Sequence, residues 1–213
     1  VVGMGQDAES KARRWSEATQ WSIPKRELLG VVVPGLFGFR MDTPDGGGYW
    51  GRAGSDPAWD RYFASGKQGP LPAGFFRYGG GGGYAGQLVL ILAVWAVVQS
   101  FRRQNSVFDP AQRRMIGFWL AVVGVALLLA FGRFAPFYQF FYALPYASTI
   151  RNPAKFLHIV EWALLILFAY GAHGLWQRYV VSTPVTTRGL VAHWQGWWSK
   201  TVGFERRWVI GSV

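Results

Sequence analysis

The chain has 213 residues, of which 51% are hydrophobic, 17% aromatic and only 15% charged. Soluble domains usually carry about 25% charged residues, so this composition argues against an ordinary soluble domain and favours a membrane protein. The chain contains no cysteine, which excludes disulfides, thiolate metal sites and a cysteine nucleophile.

The formal net charge of +11 would suit a nucleic-acid partner, but its distribution argues against one. Residues 1–83 carry ten basic and eight acidic residues, whereas the remainder carries twelve basic and three acidic. In the second part the basic residues lie between apolar runs, a pattern typical of membrane topology. We therefore predict membrane lipids, and no nucleic acid, as partners.

Residues 1–83 are predicted to form an extracytoplasmic region rich in aromatic residues, glycine and proline. Within it, residues 6–19 mix Ala, Glu, Lys and Arg, which favours a short surface helix that ends before Pro24. Residues 24–83 are dense in turn-forming residues, which indicates an irregular region packed on a larger body. The glycine run 79–83 lacks the Lys-Ser/Thr of a phosphate loop, and the acidic residues of this region lie in ordinary turn sequences.

Three apolar runs follow and predict an all-α, polytopic membrane protein with transmembrane helices over about 84–101, 115–131 and 154–176. Arg102, Arg103, Arg113 and Arg114 lie between the first two runs. By the positive-inside rule this connection is cytoplasmic, and residues 1–83 are on the outer side.

The remaining segments are predicted to lie at the two membrane surfaces. Residues 133–153 are aromatic and broken by prolines, so a short interfacial segment is expected at the outer side. Residues 177–213 are basic and predicted to be cytoplasmic, with a surface helix over 189–200 whose Trp194, Trp197 and Trp198 face lipid. An apolar end at 208–213 predicts the start of a further transmembrane helix, and with Val1 in place of an initiator Met it suggests a fragment.

Arg151 and Lys155 are candidate ligands for a lipid-linked phosphate. They flank Pro153, which suits the first turn of a helix, and free backbone donors at that helix start would add to their positive charge. The alternative is that both side chains extend to the phosphates of bulk lipid and serve as membrane anchors.

His158 and Glu161 are candidate intramembrane polar groups, because a spacing of three places them on one face of the third apolar helix. They could line a polar pathway, or simply bond to each other and hold the helix in place. Two possible ligands do not complete a metal site, so neither a metal nor another cofactor is predicted.

Three motifs resemble those of bacterial YfhO-like membrane proteins, and they occur in the same order. They are residues 28–38, which end in Pro34-Gly35-Leu36-Phe37-Gly38, then Tyr49-Trp50-Gly51, and then residues 150–156 at the start of an apolar helix. That family is similar to the GT-C superfamily of glycosyltransferases. The resemblance covers most of residues 21–176.

The resemblance implies a multi-pass protein of the bacterial inner membrane that takes a sugar from a polyprenyl-phosphate donor. Because GT-C enzymes place their catalytic acid in an outer loop near the start of the full protein, no catalytic residue is assigned to this chain. The leading hypothesis is thus part of a glycosyltransferase. The alternatives are a non-catalytic membrane subunit or scaffold, or a transporter, and the sugar, the acceptor and the oligomeric state stay open.

Overall fold

The computed structural model describes residues 8–36, 50, 57–70, 72, 84–102, 104–181, 190–201 and 203–212. Over these residues the chain is helical and contains no strand, as the predicted all-α class requires. The α-helices are α1 (Ala8–Ala18), α2 (Pro57–Ala64), α3 (Gln87–Phe101), α4 (Pro110–Ala130), α5 (Phe137–Tyr142), α6 (Phe156–Leu175), α7 (Leu190–Lys200) and α8 (Gly203–Ser212).

The three apolar runs form a bundle in which α6 packs against both α3 and α4. Its two ends differ in composition. We call the end formed by Ala130, Arg133 and the start of α6 the Arg133 end, and the end formed by the α3–α4 turn and the last turns of α6 the Arg113 end. Helix α4 runs from the Arg113 end to the Arg133 end, and α6 returns in the opposite direction.

Two helical stretches are long and apolar enough to cross a membrane, namely Pro110–Ala130 and Pro153–Tyr179. The first apolar run gives only the 15-residue α3, which begins at Gln87 and not at the predicted Tyr84. At about 1.5 Å per residue α3 is roughly 22 Å long, less than the ~30 Å of a hydrocarbon core. Two of the three predicted transmembrane helices thus have the length and composition to cross a membrane, and α3 is too short.

Glycines of α6 bring it into backbone contact with α3. A Cβ added to Gly171 would lie 2.2 Å from the carbonyl oxygen of Leu92, and one added to Gly174 would lie 2.8 Å from the ring of Trp95. Small residues permit this close approach, which is the usual way in which helices associate in lipid. The buried side chains that form the hydrophobic core of the bundle are Ala93, Trp95, Ala96, Phe108, Ile116 and Leu167.

Local sequence signals set the helix boundaries in the bundle. Helix α4 begins five residues earlier than predicted, because the Asp109 side chain accepts from the amides of Ala111 and Gln112, and the Gln112 side-chain oxygen accepts from the Asp109 amide. The predicted helix start at Pro153 is confirmed as a 3₁₀ turn, Pro153–Lys155, which leads into α6. Asn152 precedes it with a φ of +72°, a left-handed conformation that asparagine tolerates.

The segments outside the three-helix bundle contain more helix than the sequence predicts. Helix α1 lies within the predicted 6–19 segment, but residues 24–83, predicted to be irregular, include the 3₁₀ helix Lys25–Val31 and the helix α2. The glycine run 79–83 lies outside the described residues. In the basic segment 177–213, α7 confirms a helix at 189–200, and the apolar end expected to begin a further span belongs to α8.

We expect Gly171→Ala to destabilise the bundle, because its methyl group would meet the backbone of Leu92, which cannot rotate away. Overpacking of this kind costs about 1–3 kcal/mol. The matched control is Gly124→Ala on α4, where no atom lies within 4 Å of the added Cβ and the gain in helix propensity is up to about 1 kcal/mol. The measurement is the denaturant midpoint of helix loss in detergent, and equal midpoints for the two variants would contradict the close contact.

Candidate functional site

The segment that follows α1 passes between the end of α4 and the start of α6 and ties them together. The Ile23 amide donates to the Ala130 carbonyl at 3.1 Å, the Asn152 amide to Ala18 at 3.1 Å and the Ala154 amide to Trp21 at 3.0 Å. Ala18 and Ile23 are buried. Helix α1 is therefore a surface helix only at its start, and its last turn is part of the Arg133 end.

Arg133 holds this segment by bonds to backbone carbonyls. Its Nε donates to the Thr19 carbonyl at 2.9 Å and one terminal nitrogen donates to the Ser16 carbonyl at 2.7 Å. Burial lowers the pKa of the Arg133 guanidinium from its ordinary value, although arginine stays protonated at any physiological pH. These two bonds give Arg133 a structural role.

Gly132 makes room for the crossing chain. Its φ is +49°, and an added Cβ would lie 2.0 Å from the Ser22 hydroxyl and 2.8 Å from the Pro153 ring. The Ser22 hydroxyl accepts from the Arg133 amide at 3.1 Å and donates to the Thr19 carbonyl at 2.7 Å. Only glycine fits here without strain, which explains the Gly132-Arg133 sequence at the end of α4.

Arg151 and Lys155, the predicted phosphate ligands, lie at this same end on either side of Pro153. Both side chains are exposed. In the part of the chain that the structure describes, no group accepts a hydrogen bond from either side chain. They are therefore free cations, in contrast to Arg133, which lies at the same end of the bundle.

The backbone at the start of α6 does not supply the donors that the sequence predicted. The Ala154 amide bonds to Trp21, the Lys155 amide to Asn152 at 3.1 Å, and the Phe156 amide to carbonyls of the preceding turn. Proline at position 153 has no amide hydrogen. The expectation of free backbone donors is therefore wrong, because the segment after α1 and the 3₁₀ turn use them, and an anion here would meet side chains alone.

His158 and Glu161 face each other, as their spacing predicts. The His158 Nδ1 lies 3.4 Å from a Glu161 carboxylate oxygen, and the histidine side chain is 74% exposed. The pair thus lies on the outward side of α6 and does not line the interior of the bundle. No group of three metal-ligating side chains comes together among the described residues.

The aromatic segment between α4 and α6 packs under α1. Tyr138 is fully buried and donates to the Ile150 carbonyl at 2.9 Å, next to Arg151. Trp15 of α1 meets the ring of Tyr142 edge-on at 5.3 Å. Burial, and to a smaller extent Tyr142, raises the pKa of Tyr138, so its hydroxyl stays a donor well above neutral pH. These contacts fix the backbone that carries Arg151.

At the Arg113 end, the structure contains an ion pair that the sequence did not predict. Arg178 of the π-helix Trp176–Val181 bonds to Glu205 of α8 and, at 3.4 Å, to the Asn105 carbonyl in the α3–α4 turn. Glu205 is buried. The two residues are 27 apart, so no local spacing signal joins them; the single acidic residue in a basic segment was the only clue.

Arginines on either side of the α3–α4 turn also make contacts within the protein. The Arg113 Nε donates to the Ser100 carbonyl at 2.6 Å, which satisfies one of the carbonyls left over at the end of α3. The Arg102 guanidinium lies 4.2 Å above the Phe204 ring. Arg103 lies outside the described residues. Part of the basic charge assigned to membrane topology therefore also holds the turn together.

The chain matches no family model, no curated protein and no solved structure in comparisons with known proteins. The resemblance to YfhO-like proteins rests on its three motifs alone.

We expect Arg133→Gln to release the segment after α1, because two hydrogen bonds from a charged group are lost, each worth about 1.5–3 kcal/mol. Amide hydrogen exchange should become at least tenfold faster over residues 16–23. The control is Arg13→Gln, which removes the same charge from an exposed pair with Glu17 on α1. If both variants exchange like the parent protein, Arg133 does not hold the segment.

Proposed function

We propose that the chain is the membrane-embedded part of a multi-pass protein that binds a lipid-linked phosphate at Arg151 and Lys155. The observation that carries the membrane location is the exposure of its most apolar helices. Only 17% of the most apolar window in Pro110–Ala130 is buried, and only 22% of that in Pro153–Tyr179. The core helix of a soluble protein would be mostly buried, whereas a helix in lipid needs no such cover.

The exposed side chains of these helices are large and apolar. On α4, Phe118 is 54% and Val125 58% exposed, and on α6, Trp162 is 70% exposed. Water would make such a surface an aggregation liability, while hydrocarbon would solvate it. A bilayer is therefore the environment that fits α4 and α6 best.

Phosphate binding is supported by the contrast among the cations at the Arg133 end. All three residues are exposed, but Arg133 is bonded to backbone carbonyls, whereas the side chains of Arg151 and Lys155 have no hydrogen-bond partner in the described chain. A planar guanidinium pairs with phosphate through two parallel bonds, and a nearby ammonium adds a point charge. Their position at the end of a spanning helix suits a phosphate at headgroup depth.

Taken with the YfhO-like motifs, this site favours a GT-C-like glycosyltransferase of the bacterial inner membrane that uses a polyprenyl-phosphate sugar. In that proposal the chain supplies donor binding, and the catalytic acid lies outside it.

A non-catalytic subunit or scaffold is the second candidate, and one observation favours it. Gly117, Ala121 and Gly124 lie on one exposed face of α4, and nothing approaches within 4 Å of a Cβ added to either glycine. Such a face can receive another membrane helix. A transporter has less support, since His158 and Glu161 pair on the outward side of α6.

Arg151→Lys tests the phosphate site, because it keeps the charge and removes the planar fork. If Arg151 binds phosphate through two bonds, the full-length protein should lose about tenfold to a hundredfold in affinity for a polyprenyl phosphate, corresponding to 1.5–3 kcal/mol. Lys155→Gln should weaken binding by a similar factor. The measurement is titration with the lipid in detergent, followed by native mass spectrometry.

Arg14→Gln is the control, since Arg14 is an exposed cation on α1. Its affinity should equal that of the parent protein. Unchanged binding in the folded Arg151→Lys and Lys155→Gln variants would show that the two residues only anchor the chain in bulk lipid.

A further inference from the structure

We propose that α7 and α8 form a surface at the Arg113 end that binds anionic phospholipid headgroups. The surface consists of Val191 and Trp194 of α7, Arg207 of α8 and Arg114 of α4, all exposed. Arg206 is not part of it, because it is half-buried and donates to the Trp198 carbonyl at 2.8 Å. It rests on the membrane location proposed above, and it does not depend on phosphate binding at Arg151 and Lys155.

The charge of this surface is not compensated by its own acidic residue. Residues 190–212 contain Lys200, Arg206 and Arg207 against the single acid Glu205. Because Glu205 is buried and paired with Arg178 of the π-helix, it does not neutralise the basic residues of α8. Arg114, at the start of α4, is exposed and adds a further cation at the same end of the bundle.

The tryptophans of α7 divide into two groups. Trp197 meets Tyr179 of the π-helix at 5.9 Å, and Trp198 lies 5.7 Å below the Arg206 guanidinium, so both are half-buried. Trp194 is 54% and Val191 71% exposed, and they are three residues apart on one face. Lipid contact is thus expected for Val191 and Trp194, which narrows the prediction that all three tryptophans face lipid.

Exposed apolar side chains also lie in the π-helix that α7 contacts. Trp176 is 60% and Val181 68% exposed there, and the contact of Tyr179 with Trp197 joins α7 to the π-helix. Tryptophan with neighbouring arginine is the composition favoured where headgroups meet hydrocarbon. Excess positive charge selects anionic headgroups, so a bilayer surface fits α7 and α8 better than a protein partner.

The test uses single spin labels on this chain in nanodiscs, because its 213 residues contain no cysteine of their own. Val191→Cys probes α7, Val125→Cys marks the exposed centre of α4, and Ser65→Cys marks an exposed site after α2. With anionic lipid, the Val191 label should collide with oxygen more than the Ser65 label does, and less than the Val125 label.

The charge is tested by the double variant Arg114→Gln/Arg207→Gln. In anionic nanodiscs, each removed charge should shift the equilibrium of the Val191 label between lipid and water by about fivefold towards water. The label should therefore collide less with oxygen. In purely zwitterionic nanodiscs the double variant should have no effect. The control Lys11→Gln/Arg14→Gln removes two exposed charges from α1 and should leave the label unchanged.

Each contrary outcome has a distinct meaning. If the Val125 label contacts hydrocarbon while the Val191 label behaves like that at Ser65, α7 faces water or a soluble partner and this proposal is wrong. If lipid contact at Val191 does not depend on lipid charge, the selection of anionic headgroups is wrong. If the Val125 label also remains in water, the membrane location itself fails, together with this inference.

Discussion

The contact of Gly171 with the backbone of Leu92 determines how the bundle is arranged. It fixes α3 beside the second half of α6, because Leu92 lies opposite Gly171 and Trp95 opposite Gly174. Helix α3 therefore leaves the first half of α6 uncovered on its side. Residues 23–31 connect the end of α4 to the start of α3. The Ile23 amide donates to the Ala130 carbonyl, and the amide of Ala85, just before α3, donates to the Val31 carbonyl. A longer side chain at position 171 would separate the helices.

Hydrogen bonding, more than position in the sequence, separates structural cations from available ones. Arg133 and Arg113 bind carbonyl oxygens at the ends of α1 and α3, and so they replace backbone partners that helix ends lack. Arg178 binds a carbonyl oxygen of the α3–α4 turn. The side chains of Arg151 and Lys155 make no such bonds within the described residues. In a membrane this difference matters, because a cation that is already bonded within the protein adds little to the recognition of a phosphate.

Periodic and local signals predicted well, and distant pairings did not. Apolar runs gave the three bundle helices, Pro153 gave the start of the third, and the His158 to Glu161 spacing gave their contact. The role of the segment after α1 depends on contacts across more than 100 residues, such as Arg133 with Thr19, and single-sequence spacing carries no trace of them. For the same reason the sequence suggested free amides at the start of α6, where the Ala154 amide in fact donates to the Trp21 carbonyl.

The most direct measurement of the central claim is the sidedness of the two bundle ends in the full-length protein. Single cysteines replace Gln20 at the Arg133 end and Gln104 in the α3–α4 turn, both of which are exposed. In intact cells that express the protein, a membrane-impermeant thiol reagent should label Gln20→Cys at once and Gln104→Cys only after permeabilisation. Equal labelling of both positions before permeabilisation would contradict a bundle that spans the membrane.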